Sequence, residues 1–194
     1  MTLSILNIVN RIRFILKNIC YYRFRFKSLG WRSTIKSTLA IDHGENIELG
    51  NIHLGYKAWL AANPLTDAQV CRLIIKDGCV IGNFNHIYAT GKIVLEKDVL
   101  TADRVYISDN LHGYEDISTP IKQQPIKQHG QVKIGEGSWL GENVSVIGSS
   151  IGKHCVIGAN SVVTHDIPDY SVAVGIPAKV IKKYDFINKQ WVKV

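Results

Sequence analysis

Cysteine is scarce in this chain, and its four residues show no metal-binding or disulfide spacing. Cys20, Cys71, Cys79 and Cys155 form no CxxC or CxC pair, which argues against a zinc ribbon or a small disulfide scaffold and suits a reducing cytosol. No apolar run reaches the ~20 residues that a membrane-spanning helix needs. No small-residue cleavage site follows a short apolar stretch, so we expect no signal peptide and a cytoplasmic location.

Acidic residues are absent from the first 41 positions. That segment holds eight basic residues, whereas the whole chain of 194 residues has a net charge of +7, so the remainder carries 7 − 8 = −1. The basic character therefore belongs to the N-terminus and says little about the main body. These eight residues are Arg11, Arg13, Lys17, Arg23, Arg25, Lys27, Arg32 and Lys36.

Aliphatic residues near the N-terminus recur at steps of three and four, which predicts one apolar helix face within residues 1–30. We favour a helix that caps the main domain or packs on a neighbouring subunit. The alternative is peripheral contact of residues 1–27 with an anionic membrane at its inner face. Nucleic-acid binding is not expected, because no recognised motif accompanies the charge. The apolar positions are Ile5, Ile8, Val9, Ile12, Ile15, Leu16 and Ile19.

A six-residue repeat dominates the rest of the sequence. It cannot be helical, because a six-residue step on a 3.6-residue helix turns the side chain by about 240°. Each hexapeptide predicts a short strand and a corner, often with glycine after the aliphatic residue, as in Ile134-Gly135. Three such units would close a triangular coil of about 18 residues with the aliphatics inside. The unbroken series is Ile75, Ile81, Ile87, Ile93, Val99, Val105 and Leu111.

The repeat defines the predicted domain organisation. Residues 55–70 and 112–131 lack the six-residue register and are predicted as loops, and such excursions often carry function. We therefore predict a basic helical segment over 1–30, a coiled β domain over 31–183 and a C-terminal tail over 184–194.

The sequence from Ile134 to Leu140-Gly141, the run Ile157-Gly158-Ala159-Asn160-Ser161 and the ending Gly175-Ile176-Pro177-Ala178-Lys179 closely resemble the hexapeptide-repeat acetyltransferases. The likeness is strongest to galactoside and maltose acetyltransferases and to the O-acetyltransferases of surface polysaccharide synthesis. It implies an all-β fold, a left-handed parallel β-helix. It also implies a homotrimer with active sites between subunits, and transfer of acetyl from acetyl-CoA to a hydroxyl of a sugar or polysaccharide precursor.

The resemblance places the family's catalytic histidine on His112, where the second predicted loop begins. A sugar hydroxyl is a poor nucleophile at neutral pH, so a base with a pKa near 7 must take its proton during attack on the thioester. Asp109, Glu115 and Asp116 are the candidates to orient the imidazole. Gly113 stands where the galactoside and maltose enzymes have proline, which leaves the acceptor open.

Other predicted site residues also follow from the resemblance. Asn85, His86 and Asp109 are predicted to contact the acceptor, although an asparagine at a coil corner and a histidine in a turn are often structural. Trp139 could instead pack at a subunit interface. The predicted CoA contacts are Trp139, Gly141, Ala159, Thr164, His165, Lys179 and Lys182.

Three alternatives stay open. An amino-sugar N-acetyltransferase would use the same fold and base. A non-catalytic β-helix scaffold would bind no CoA. A zinc enzyme resembling the γ-type carbonic anhydrases would need a second histidine five residues after His112, where Ile117 stands, so no metal is expected.

Overall fold

A computed structural model describes residues 8, 9, 12, 16, 17 and 20–194. The described residues before position 21 are helical, as the N-terminal pattern predicts, whereas Ile5, Ile15 and Ile19 lie outside the described residues. From residue 21 onward the described chain contains strands and short 3-10 turns (Tyr22–Phe24, Gly44–Asn46 and Ile121–Gln123) but no α-helix. The prediction of an all-β body is therefore confirmed.

The strands of the coil form three parallel sheets, which the chain visits in rotation. In the last coils the first sheet continues only as isolated bridges at Ile151 and Ile167. The first sheet contains β1 (Ser28–Leu29), β4 (Ile47–Leu49), β7 (Arg72–Ile75), β10 (Lys92–Leu95) and β15 (Val132–Ile134). The second contains β2 (Thr34–Ile35), β5 (His53–Leu54), β8 (Val80–Ile81), β11 (Leu100–Thr101), β16 (Trp139–Leu140), β18 (Val156–Ile157) and β20 (Ser171–Gly175). The third contains β3 (Thr38–Asp42), β6 (Ala58–Ala62), β9 (His86–Ala89), β12 (Tyr106–Ser108), β17 (Ser145–Ile147) and β19 (Val162–Val163).

The three sheets enclose one apolar core, in which several of the longer strands bury two alternating positions. Leu73 and Ile75 on β7, and Ile93 and Leu95 on β10, have no exposed surface. Strand side chains alternate between faces, so positions two residues apart both point inward.

The predicted 18-residue coil is wrong in its length. Leu73 pairs with Ile93, a separation of 20 residues, whereas Leu140 pairs with Ile157, a separation of 17. The six-residue pattern survives because longer strands such as β7 and β10 have two inward positions, so a coil that gains two residues still places an aliphatic residue inside. Leu111 is a second correction: it is 38% exposed, because the chain has already left the coil there.

Corner glycines have a different role from the predicted one. A Cβ on Gly135 would lie 2.3 Å from the carbonyl carbon of Gly152 in the next coil, so this glycine permits close stacking. The left-handed backbone angle falls two residues later, on Gly137 with φ 67°. At other corners the left-handed backbone angle is adopted by residues other than glycine, such as Phe84 and Arg104, both with φ 56°.

The structure shortens the first predicted loop. Strand β6 lies inside residues 55–70 but pairs in register with β3 and β9, so only residues 63–71 leave the coil. The six-residue pattern missed this strand because alanines, Ala58 and Ala62, occupy buried inward positions on either side of Leu60.

Both ends of the domain differ from the predicted boundaries. β1 pairs with β4, so the coil begins by Ser28, and Tyr22 and Phe26 are buried at its end. At the C-terminus, β21 (Ala178–Asp185) and β22 (Gln190–Lys193) form antiparallel pairs that extend the second sheet from β20. The last eleven residues, expected as a tail, therefore contain a paired strand.

Candidate active site

His112 lies on a two-stranded arm that projects from the third sheet. After β12 the chain forms β13 (Asn110–His112), which pairs antiparallel with β14 (Ile126–Gln128), and His112 stands opposite Ile126. The side chain of His112 is exposed. The predicted position of this histidine, at the start of the second excursion, is therefore where the structure places it.

A cavity of about 300 Å³ lies between this arm and the outer face of the third sheet. Its lining is aromatic, aliphatic and amide in character, and it includes two histidines but no Asp, Glu, Lys or Arg. Such a mixture of apolar walls and a few polar groups is typical of small-molecule sites. The lining residues are His86, Tyr88, Tyr106, Asn110, Leu111, His112 and Ile126.

His86 forms the centre of an aromatic cluster on this face. Its ring stacks on Trp59, and the rings of Tyr88 and Tyr106 lie 5.8 and 5.3 Å away, centroid to centroid. Burial lowers the pKa of His86, against a weaker opposing effect of Asp42. The imidazole is therefore neutral at pH 7, and its buried Nε2 makes no hydrogen bond within the described chain.

Asn85 is part of the coil interior, which conflicts with its predicted contact to an acceptor. It has no exposed surface, and its Nδ2 donates a hydrogen bond of 2.9 Å to the Ala102 carbonyl in the next coil. The side chain points inward because Asn85 occupies one of the two inward positions of its strand region, two residues before Ile87.

Asp109 is also structural in its contacts. Its side chain is fully buried, and its carboxylate oxygens accept hydrogen bonds from the Thr90 and Gly91 amides at 2.8 Å each. These bonds turn the carboxylate toward the corner of the preceding coil. The prediction that Asp109 contacts a substrate does not fit this burial.

None of the three candidate carboxylates hydrogen-bonds His112 among the described residues. Glu115 pairs with Lys127, with 2.6 Å between Nζ and Oε1. Asp116 accepts a hydrogen bond of 2.6 Å from the Ser118 hydroxyl. Hydrogen bonds to its carboxylate, above all the one from the Ser118 side chain, lower the pKa of Asp116 to about 2.

Tyr88 and Tyr106 line the cavity but were missed by the sequence analysis. The signal was present, since residues 86, 88 and 106 are aromatic or histidine at outward-facing positions of β9 and β12. The Tyr88 hydroxyl accepts a hydrogen bond of 2.8 Å from Asn63 Nδ2, so the first excursion also contributes to this face.

The predicted CoA contacts fall into two groups within one chain. Trp139, Gly141 and Ala159 lie on or beside the second sheet, and a Cβ on Gly141 would lie 2.7 Å from the Ala159 amide nitrogen. Lys179 and Lys182 lie on β21, which extends that sheet. Thr164 and His165 follow β19 on the third sheet and contact each other at 3.0 Å. A single chain does not bring the seven residues together.

Three of the cysteines are buried and pack as small apolar side chains. Cys71, Cys79 and Cys155 are buried, and burial raises the pKa of the Cys71 and Cys79 thiols to about 11. Among the described residues, no three His, Cys, Asp or Glu side chains are grouped to hold a metal ion. No described helix has the length and apolarity to cross a membrane.

Comparison with known proteins supports the resemblance stated from the sequence. Residues 131–165 match the family model for bacterial transferase hexapeptide (six repeats). WbbJ of Escherichia coli K12, named as a lipopolysaccharide biosynthesis O-acetyl transferase, is 38% identical over 128 residues, or 62% of this chain. Rv3034c of Mycobacterium tuberculosis, named as an acetyltransferase, is 41% identical over 138 residues, or 70% of this chain. The predicted similarity to hexapeptide-repeat acetyltransferases is confirmed.

The matches span 65% of the length of WbbJ and 44% of that of Rv3034c. Among solved structures, AntD, an N-acyltransferase from Bacillus cereus in complex with dTDP and 3-hydroxybutyryl-CoA, aligns with a TM-score of 0.68. The alignment covers 84% of this chain and 85% of AntD at 19% sequence identity. At that identity the likeness concerns the fold.

Proposed function

We propose that this chain is an acyl-CoA-dependent enzyme that transfers acetyl from acetyl-CoA to a hydroxyl of a sugar or polysaccharide precursor, with His112 as general base. The observation that carries the proposal is the exposed His112 on the arm, beside a cavity with aromatic and amide walls. The relatives named as acetyltransferases support the reaction class. The left-handed sense of the coil is part of the same proposal.

In this mechanism His112 accepts the proton of the acceptor hydroxyl as its oxygen attacks the thioester carbonyl. The tetrahedral intermediate then collapses, the C–S bond breaks, and the imidazolium returns the proton to the CoA sulfur. The acceptor hydroxyl attacks the thioester carbonyl directly, so no acyl-enzyme is required. The residues predicted to hold CoA are Trp139, Gly141, Ala159, Thr164, His165, Lys179 and Lys182.

The lining of the cavity favours a hydroxyl over an amine. An amino sugar is an ammonium ion at neutral pH, and a neighbouring carboxylate would stabilise it. The described cavity offers it no carboxylate, whereas neutral His86 and the tyrosines suit an uncharged sugar. An amino-sugar N-acetyltransferase is the second candidate, because AntD, which shares the fold, is an N-acyltransferase.

We further propose that three chains assemble around the second sheet. Val80, Leu100 and Trp139 occupy one outward column of that sheet and are 41%, 43% and 47% exposed in the single chain. Covering such a column with a second copy would bury apolar surface. It would also let a neighbouring subunit complete the CoA groove, whose predicted residues are divided between two faces of one chain.

For residues 1–27 we propose a peripheral membrane contact as the alternative to packing on a neighbouring subunit, together with a cytoplasmic location. The aliphatic helical residues Ile8, Val9, Ile12 and Leu16 are 42–55% exposed in the single chain, which leaves them accessible to either partner. An exposed apolar face among basic residues is suited to an anionic lipid surface.

The test of the reaction is release of free thiol from acetyl-CoA in the presence of a panel of neutral sugars and amino sugars. We expect turnover with one class of neutral sugar, and a loss of about 100-fold or more in His112→Ala with CoA binding retained. His43→Asn, which changes an exposed histidine at the far end of the coil, is the matched control. Absence of CoA binding would favour a non-catalytic scaffold, and turnover with amino sugars alone would favour N-acetylation.

A further inference from the structure

The arm that carries His112 is joined to the coil by a hydrogen-bonded group of four residues, Thr90, Gly91, Asp109 and Gln128, here called the Asp109 cluster. The first three are buried, whereas Gln128 is exposed. Oδ1 of Asp109 accepts hydrogen bonds from the Thr90 amide at 2.8 Å and from the Thr90 hydroxyl at 3.1 Å. Oδ2 accepts one from the Gly91 amide at 2.8 Å. The carboxylate thus attaches the first residue of the arm to the corner between β9 and β10.

Gln128 attaches the returning strand of the arm to the same corner. It stands opposite Asn110 in the β13–β14 pair. Its Nε2 donates to the Asp109 carbonyl at 2.9 Å and to the Gly130 carbonyl at 2.6 Å. Its Oε1 accepts from the Thr66 hydroxyl at 3.1 Å. It also lies 3.0 Å from the Thr90 hydroxyl, whose single proton is shared between Gln128 and Asp109. Both strands of the arm, and the short loop of residues 63–71, therefore meet at the side chain of Gln128.

An isolated two-stranded ribbon is marginally stable in water, so the direction of this arm depends on how its base is held. His112 lies three residues from Asp109, or about 10 Å along an extended chain. None of the four cluster residues lines the described cavity, but Asn110, which does, donates a hydrogen bond of 3.2 Å from Nδ2 to Asp109 Oδ1. The cluster therefore acts on the reaction through the placement of the arm, which carries both His112 and Asn110. A displacement of about 1 Å at a reacting group can cost about 100-fold in rate.

We propose that Asp109 and Gln128 are positioning residues for His112, an inference that rests on the proposed function of that histidine. Asp109 sets where the arm leaves the coil, and Gln128 sets where it returns. A cluster that only stabilised the coil would affect folding and leave the geometry of His112 unchanged, and this difference can be measured.

The test uses Asp109→Asn and Gln128→Leu in the full chain, with Asp103→Asn as matched control. Asp103 also accepts hydrogen bonds across coils, from the Asn83 amide at 2.8 Å and from Asn83 Nδ2 at 3.0 Å, but at a corner without the arm. We expect kcat to fall about 10- to 100-fold in the two cluster variants while the KM for acetyl-CoA changes less than about twofold. Hydrogen exchange of residues 110–128 should accelerate in both, with exchange in the coil unchanged.

The proposal is wrong if Asp109→Asn and Asp103→Asn lower kcat equally, or if exchange in the arm matches that of the wild type. Should Asp109→Asn not fold, Gln128→Leu and Thr90→Val, which removes one hydroxyl from the cluster, decide the question. If the wild-type chain transfers no acetyl group, the proposed function fails. The exchange measurement then separately decides whether the cluster holds the arm.

Discussion

His86 lies flat against the indole ring of Trp59, with the ring centroids 4.2 Å apart and the ring planes 8° apart. The indole Nε1 in turn donates a hydrogen bond of 2.6 Å to Asp42. The stacking on Trp59 helps to bury the His86 imidazole in the cavity wall that also includes His112, and burial lowers the pKa of His86. The two histidines of the cavity therefore differ in environment, since one is enclosed by aromatic rings and the other is exposed on the arm.

The buried imidazole predicts a pH dependence of stability. Because the folded state lowers the pKa of His86, the unfolded chain binds more protons near pH 6. The free energy of unfolding should therefore fall as the pH drops through the ordinary histidine pKa of about 6.5. His86→Phe keeps a ring on Trp59 but removes this titration, so its midpoint of thermal unfolding should change less between pH 7.5 and 5.5. His53, whose pKa is also lowered by burial, is present in both proteins and contributes equally to both slopes. Equal pH slopes for the two proteins would therefore contradict the prediction.

The coil interior predicts a large cost for truncating an inward aliphatic residue. Ile87 has no exposed surface, and Ile87→Ala should lower the free energy of unfolding by about 2–5 kcal/mol, because it loses buried methyl groups and leaves a cavity. Ile117, on the arm, is fully exposed, and Ile117→Ala should change it by less than about 0.5 kcal/mol. Urea unfolding at one protein concentration measures both. Similar losses in the two variants would mean that Ile87 does not pack as described.

The exposed apolar column on the second sheet predicts a subunit interface that a single charged substitution should disrupt. Leu100→Glu places a carboxylate in the middle of the proposed interface, between Val80 and Trp139, and should convert the proposed trimer to monomers. Sedimentation velocity reports the change. Ile187→Glu, at a site 90% exposed between β21 and β22, should leave the trimer intact. If the wild type is a monomer, or if Leu100→Glu remains a trimer, this face of the second sheet is not a subunit interface.

The basic N-terminal segment predicts binding to anionic vesicles. The chain should sediment with phosphatidylglycerol vesicles but not with phosphatidylcholine vesicles, and 0.5 M salt should weaken the binding because screening shortens electrostatic attraction. Reversing three charges, in Lys17→Glu, Arg23→Glu and Arg25→Glu, should weaken it by about 100-fold or more, at about 1 kcal/mol per basic residue.

The control for vesicle binding reverses three exposed lysines elsewhere, Lys122, Lys189 and Lys193, to glutamate. It has the same net charge as the N-terminal triple variant. If both triple variants lose binding equally, the net charge of the chain and not the N-terminal segment governs the contact. If the wild type does not bind phosphatidylglycerol vesicles at low salt, the apolar face of the N-terminal helix packs on protein instead.

Part of the active-site prediction came from resemblance and part from local pattern. His112 could be placed because the repeat ends there and the family motif is in register with it. The aromatic wall could have been found from the alternation of His86 and Tyr88 on one strand. Asn85 and Asp109 could not be judged from sequence. Whether a polar residue beside a corner faces outward or inward depends on the coil stacked against it.

The sequence by itself determined the repeating strand-and-corner architecture, since inward aliphatics at regular steps are a local property of each short strand. It also determined the position of the candidate base. Only the tertiary structure decided the coil lengths, the true extent of the first excursion and the partners of Asp109. These depend on which residues stack on one another about 20 positions apart. Thr90 and Gly91 meet the Asp109 carboxylate only because one coil lies directly on the next.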